Sequence, residues 1–113
     1  MATSTIKYDL TTSSVKVTPN YNYTTNDNNI LYVFKVGRIV FLSGTITNTY
    51  NCPQYTWLFA VPDGYKPAHP LSIVPLNQTT NEWFFAGYDG QFSPQSANAV
   101  AGARYFTAMW IAA

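Results

Sequence analysis

Few side chains in this sequence of 113 residues suit acid–base or metal chemistry. The chain has one histidine, His69, and one cysteine, Cys52. His69 has no second histidine and no carboxylate at a ligand-like spacing, so the sequence predicts no metal site and no cofactor. It lies in the proline-rich segment Pro-Ala-His-Pro, where an exposed loop residue is a simpler interpretation than a catalytic one.

The five carboxylates all fall in or beside predicted turns: Asp9, Asp27, Asp63, Glu82 and Asp89. Asp63 and Asp89 are adequately explained as turn residues. A glycosidase pair could still be assembled from distant positions such as Glu82 and Asp89, but nothing in their spacing selects them. The chain also lacks a nucleophile elbow, a P-loop and a dinucleotide-binding fingerprint. We therefore expect a protein that is not an enzyme.

The composition of the chain argues against two classes of binding partner. The formal charge is +1 and charged residues make up only 10% of the chain, with no basic run. Nucleic acid and anionic membrane surfaces demand clustered positive charge, so we expect neither as a partner. The sequence shows no signal peptide, and no apolar run approaches the ~18 residues of a membrane-spanning helix. We therefore expect no membrane insertion.

Aromatic residues reach 17% of the chain, and Asn, Thr, Ser and Gln must form much of its surface. Exposed aromatic and amide groups suit a carbohydrate, because the apolar face of a sugar stacks on an aromatic ring while its hydroxyls need donors and acceptors. Most aromatics should nevertheless belong to the core. We expect these five to be buried: Phe34, Phe41, Trp57, Phe59 and Phe106.

Two hairpins organise the chain. Ile30 to Thr47 holds two β-rich runs joined at Gly37, and Trp83 to Ser93 reverses at Asp89-Gly90. No apolar pattern of helical period appears. The sequence predicts an all-β protein, a compact antiparallel β-sandwich or Greek-key barrel of seven or eight strands. We assign residues 1–29 to an N-terminal arm or linker and 30–113 to this single domain.

Three predicted strands carry apolar side chains on both faces: Ile30 to Phe34, Ile39 to Ile46 and Arg104 to Ile111. One face can form the core of a small domain. The other needs a second layer or a second subunit, because large exposed apolar patches are unusual on soluble monomers.

Three blocks then suggest a family. Lys35 to Thr47 reads KVGRIVFLSGTIT, Leu58 to Pro67 reads LFAVPDGYKP, and Tyr88 to Phe92 reads YDGQF. In this order and spacing they resemble the C-terminal head domains of bacteriophage tail-fibre and baseplate receptor-binding proteins, and lactococcal-type phage heads are similar. The resemblance covers residues 35 to 111, and Val61 stands where the family usually has leucine.

This resemblance implies a β-sandwich or barrel that forms a homotrimer at the tip of a phage tail. It also implies a virion location, contacts with other tail or baseplate proteins, and attachment to host cell-wall or surface saccharide. The matching motifs are turn and strand residues, so they carry over the fold and no ligand position. A structural virion module, such as a trimer cap or decoration without ligand, is the alternative, and a depolymerase fragment is a weaker third.

One aromatic is not fully explained by packing. Trp83 follows a polar loop and begins a predicted strand, where its ring can be half exposed, whereas Trp57 and Trp110 lie within strands. We predict a saccharide groove that uses Trp83 for stacking, with Glu82 nearby. Hydrogen bonds would come from three further side chains: Asp89, His69 and Arg104.

Overall fold

The computed structural model describes residues 14–25, 29–77 and 81–113. Within them the chain forms nine strands in two antiparallel sheets and no helix. The predicted all-β, sandwich-like class is confirmed, with nine strands rather than seven or eight. The strands are β1 Val15–Lys16, β2 Thr18–Pro19, β3 Ile30–Val36, β4 Ile39–Asn48, β5 Phe59–Ala60, β6 Leu71–Ile73, β7 Phe84–Ala86, β8 Gln91–Pro94 and β9 Gly102–Ile111.

The first predicted hairpin forms the middle of the four-stranded sheet, whose order is β1-β3-β4-β9. Val36 pairs with Ile39 across a two-residue turn, and Gly37 has a φ of +61° there. A left-handed residue is what a tight hairpin turn requires, and glycine adopts it without strain. Strand β9 then pairs with β4 over ten residues, from Gly102 to Ile111.

The second predicted hairpin is also confirmed, and it lies within the five-stranded sheet of order β2-β5-β8-β7-β6. Its turn is centred one residue earlier than the Asp89-Gly90 pair suggests. Gly90 N donates to Gly87 O at 3.1 Å, so Tyr88 and Asp89 occupy the centre. Gly90 follows with a φ of +71°, the left-handed position that commonly completes a longer hairpin loop.

Other strand boundaries differ from the sequence prediction. The alternation of large and smaller side chains from Tyr55 to Ala60 predicts a core strand over that range. The structure reduces it to β5, because Tyr55 has a φ of +68° and residues 54–56 form turns and a bend. Strand β6 ends at Ile73, two residues before Pro75, and lies at the sheet edge, where a proline nearby removes no ladder donor.

An aromatic cluster joins the two sheets. Phe59 of the five-stranded sheet stacks on Phe92 with ring centroids 4.8 Å apart, and it meets Phe106 of β9 at 5.5 Å. Trp110, also on β9, lies 5.5 Å from Phe92. Stacked and tilted aromatic pairs at such distances stabilise a core beyond their buried area, by about 0.5–1.5 kcal/mol each.

The burial predictions for the aromatics are partly confirmed. Phe59 and Phe106 are buried, as expected, and so is Trp110. Phe34, Phe41 and Trp57 are half-buried, so the prediction of full burial is wrong for these three. Phe34 and Phe41 stack on one another at 5.1 Å on the side of their sheet that faces away from the core.

Short strands near the amino terminus join both sheets. β1 pairs with β3, β2 pairs with β5, and Val17 between them is buried. These residues fall within the segment 1–29 that the sequence assigns to an arm or linker, and the domain boundary stays a prediction. A further predicted strand, at residues 8–10, lies outside the described residues.

The four-stranded sheet carries apolar side chains on the side away from the aromatic core. This outer face consists of alternate residues of three strands, which the cross-strand register places in adjacent rows. Several of them are well exposed, Ile30 by 58% and Met109 by 66%. The apolar and aromatic members of the outer face are Ile30, Tyr32, Phe34, Val36, Ile39, Phe41, Tyr105, Met109 and Ile111, and Ser43, Thr45 and Thr107 lie among them.

The β7–β8 turn yields the first testable prediction. A valine at Gly90 would have to adopt a positive φ, and its Cβ would lie 2.8 Å from Val61 Cγ2 and 2.9 Å from Lys66 Cγ. Gly90→Val should therefore lower the free energy of unfolding by about 1 to 3 kcal/mol, measured by urea denaturation. Gly87→Val is the control, since a Cβ there meets nothing closer than 3.9 Å. Equal losses in the two variants would contradict the turn geometry.

Candidate functional site

A groove of about 590 Å³ opens beside the end of β6 and the start of β7. Ligand cavities in proteins usually measure ~300 to 1,000 Å³ and combine apolar walls with a few polar groups. The lining side chains here fit that description: Ser72, Val74, Asn81, Glu82 and Trp83. The lining thus combines an indole and an aliphatic side chain with a hydroxyl, an amide and a carboxylate.

The pairing of β6 with β7 presents the groove residues. Ile73 and Phe84 are partners in the ladder and both are buried. Because side chains alternate along a strand, Ser72 and Val74 lie on the opposite side from Ile73, and Trp83 lies opposite Phe84. Gln95 N donates to Trp83 O at 3.0 Å, which fixes the backbone that carries the ring.

Trp83 is 39% exposed, which confirms the prediction of a half-exposed ring at a strand start. Most tryptophans in folded proteins are largely buried, so an indole with this much accessible surface beside a groove is a candidate contact residue. Trp110 provides the contrast, because it is buried and its Nε1–H donates to Tyr65 O at 2.7 Å.

A buried ion pair forms one side of the groove. Arg104 Nε donates to Glu82 Oε1 at 2.6 Å, and Arg104 Nη2 donates to Glu82 Oε2 at 3.0 Å. The side chains keep only 7% and 15% of their surface accessible, respectively. This two-point geometry, in which both carboxylate oxygens accept from one guanidinium, is the strong and directional form of the interaction.

The Arg104 guanidinium also donates a hydrogen bond to a buried residue of the core. Arg104 Nη1 donates to the side chain of Asn48 at 2.7 Å, and Asn48 in turn donates to Ala99 O at 3.1 Å and Tyr50 O at 2.9 Å. The guanidinium carbon also lies 5.9 Å from the centre of the Phe84 ring. A buried charge is tolerated only when such partners satisfy its donors, and removing one partner typically costs about 3–5 kcal/mol.

These contacts assign Arg104 a positioning role. Its guanidinium is buried and three of its nitrogens donate to Glu82 and Asn48, so it holds the Glu82 carboxylate at the groove wall. Of the two residues, Glu82 is the one that lines the groove. A direct hydrogen bond from Arg104 to saccharide stays a prediction.

The loop after β6 is anchored close by. Asn77 Nδ2 donates to Ala103 O at 3.0 Å and Asn77 Oδ1 accepts from Tyr105 N at 3.1 Å, while Leu76 N donates to Tyr105 O at 2.7 Å. This loop leaves the five-stranded sheet and bonds to the edge of the four-stranded one. The groove therefore lies where hydrogen bonds connect the two sheets.

The other two predicted site residues lie at the opposite end of the β6–β7 pair. Asp89 is in the β7–β8 turn, where its Oδ1 accepts from Gln91 N at 3.1 Å, an adequate structural role. His69 is exposed just before β6, near the bridge between Pro67 and Ala112. The structure thus brings Trp83 and Arg104 together through Glu82, and it places Asp89 and His69 elsewhere.

Three groove residues are missed by the sequence prediction: Ser72, Val74 and Asn81. The alternation of Ser72 and Val74 around Ile73 is visible in the sequence. Which groups they face depends on pairing between strands that are distant along the chain, and the spacing of residues does not give that pairing.

Cys52 has no role in the groove. It is buried, and its Sγ donates to Thr56 O at 3.2 Å. Desolvation raises the pKa of the Cys52 thiol to about 11, opposed by the nearby positive charge of Arg104. The thiol is therefore neutral at physiological pH and a poor nucleophile. Within the described part of the chain, no group of three His, Cys, Asp or Glu side chains could hold a metal ion.

Comparison with known proteins does not extend these observations. No family model matches the chain, and no curated protein matches it. Among residues 14–25, 29–77 and 81–113, no helix is long and apolar enough to cross a membrane.

Proposed function

We propose that this chain is a receptor-binding head domain of a phage tail fibre or baseplate, which attaches the virion to saccharide on the host cell surface without catalysis. The observation that carries the proposal is the half-exposed Trp83 ring in a groove whose polar groups are a hydroxyl, an amide and a carboxylate. The sequence resemblance to phage head domains supplies the biological setting.

The groove offers what a sugar ring needs. A pyranose has an apolar face that can stack on Trp83, while Val74 adds apolar contact. Its hydroxyl groups act as both donors and acceptors, and Ser72 and Asn81 provide both. Glu82 adds a carboxylate whose orientation its ion pair fixes in advance, so little order has to be created on binding.

The absence of catalysis is part of the proposal. Glycoside hydrolysis generally uses two carboxyl groups about 5 to 10 Å apart across the scissile bond. Glu82 has both oxygens engaged by Arg104, and Asp89 lies at the other end of β7, in a turn. These placements favour a binding site over a depolymerase.

We also propose that the head is a homotrimer, in which copies of the chain cover the outer face. That face carries exposed apolar and aromatic side chains on one side of a regular sheet, with Ser43, Thr45 and Thr107 among them, and soluble monomers rarely expose large apolar patches. The trimeric number itself comes from the resemblance to phage heads. The same face supports the alternative function, a structural virion module whose contacts are all with itself and with other tail or baseplate proteins.

Binding at the groove can be tested by calorimetry with the strongest ligand found on a bacterial glycan array. Trp83→Ala should weaken binding at least about tenfold, because a central aromatic contact usually contributes more than ~1 kcal/mol. Tyr88→Ala is the matched control, since Tyr88 is an exposed aromatic in the β7–β8 turn, at the other end of β7 from the groove. Unchanged affinity in a folded Trp83→Ala protein would place the site elsewhere, and a head that binds no saccharide would favour the structural alternative.

Assembly can be tested by light scattering. The wild-type protein at low micromolar concentration should have three times the 12.6 kDa mass of one chain. Met109→Lys places a charge in the outer face and should release monomers, because burying an unpaired charge at an interface costs several kcal/mol. Val100→Lys changes a similarly exposed residue outside that face and should leave the mass unchanged. A wild-type mass of one subunit would refute the proposal.

A further inference from the structure

The residues that line the groove indicate which class of saccharide it would bind, an inference that rests on the function proposed above. We infer that the groove selects uncharged saccharides and discriminates against acidic ones, such as sugars that bear phosphate or carboxylate groups. The feature responsible is the orientation of the Arg104–Glu82 ion pair.

The pair is arranged with its negative end toward the ligand. Glu82 lines the groove, whereas Arg104 lies behind it, 6% exposed and bonded to Asn48 in the core. An anion in the groove would therefore lie nearer to Glu82 than to Arg104. The cation is farther away, and its buried donors are directed at Glu82 and Asn48.

The other charged residues that the structure describes do not offset the negative charge of Glu82 at the groove. From Leu71 to Trp83 the sequence contains one charged residue, Glu82. Of the other described cations, Lys35 bonds to Gly64 O, Arg38 bonds to Ala112 O and Lys66 pairs with Asp63. These three lie toward the β3–β4 turn and the carboxyl end of β9, whereas the groove is beside the amino end of β9. The remaining described cation, Lys16, is on β1 at the opposite edge of that sheet from β9.

The remaining lining groups suit a neutral ligand. Ser72 and Asn81 can satisfy hydroxyl or acetamido groups without any change of charge, and Trp83 and Val74 contact apolar surface. A phosphate or carboxylate would lose water of hydration here and gain no cationic partner among the lining residues that the structure describes. Such uncompensated desolvation is the usual basis of discrimination against a charged analogue.

The test is a glycan array of saccharide pairs that differ by one anionic group. Suitable pairs are N-acetylglucosamine with N-acetylmuramic acid, glucose with glucose 6-phosphate, and galactose with galacturonic acid. For every pair that binds, the wild-type protein should favour the neutral member by about threefold or more, because the repulsion from Glu82 is partly offset by the attraction of Arg104 behind it.

Two variants link this preference to the ion pair and to the groove. Glu82→Gln leaves the Arg104 charge uncompensated and should reduce the neutral-to-acidic ratio about tenfold. Ser72→Lys adds a cation at an exposed groove position without disturbing the pair, so it decides the question if Glu82→Gln does not fold. Gln91→Lys is the control, since it adds the same charge at the far end of β8 and should not change the ratio.

The outcomes separate the inference from the proposed function. Equal or tighter binding of the acidic members by the wild-type protein would overturn the inference and leave saccharide attachment intact. A neutral preference that neither Glu82→Gln nor Ser72→Lys alters would also overturn it, because the preference would then originate outside the groove. Failure to bind any saccharide would instead overturn the proposed function, and the inference with it.

Discussion

A guanidinium that is almost completely removed from water links the two sheets of this protein, in addition to the aromatic cluster. Arg104 belongs to β9 of the four-stranded sheet, whereas Glu82 directly precedes the Trp83 that leads into β7 of the five-stranded sheet. Such a charge would be strongly destabilising if any of its partners were lost. Glu82 and Asn48 must therefore keep their positions, and the backbone on each side of the groove keeps its position with them.

This constraint restrains a candidate site that lies at a sheet edge. Edge segments normally have few restraints, and β6 is only three residues long. Here the ion pair, the Asn77 contacts with β9 and the aromatic cluster all restrain the same end of the sandwich. A ligand that meets groups already in place loses less entropy on binding.

The sequence predicts the hairpins well because their signals are local. Gly37 and Gly90 occupy left-handed positions, and alternation identifies which faces of β4 and β9 are apolar. The sequence predicts the structure less well where segments that are distant along the chain pack together. Tyr55 turns the chain where a strand was expected, and Phe34 and Phe41 have an apolar environment on the outer side of a sheet rather than in the core.

For the candidate site, too, local features are predicted and contacts between distant residues are not. Trp83 could be selected from its position at a strand start, which is a local feature. Arg104 could be named as a hydrogen-bonding residue, but its pairing with Glu82 joins residues 22 positions apart and depends on how the two sheets pack. Asp89 and His69 are close to Trp83 in the sequence, yet the β6–β7 pair places them at its other end. Proximity along a chain that reverses direction repeatedly is a poor guide to a shared site.

The most direct test of the central claim, that saccharide binds beside Trp83, is to follow the indole N–H resonances by NMR during a titration with the array's strongest saccharide. Trp83 should show a saturable change in chemical shift, since an aromatic ring stacked on a sugar changes its magnetic environment. Trp110, whose Nε1–H is bonded to Tyr65 O in the core, is the internal reference and should stay constant. A saturable change at Trp57 or at outer-face amides, with Trp83 constant, would contradict the account.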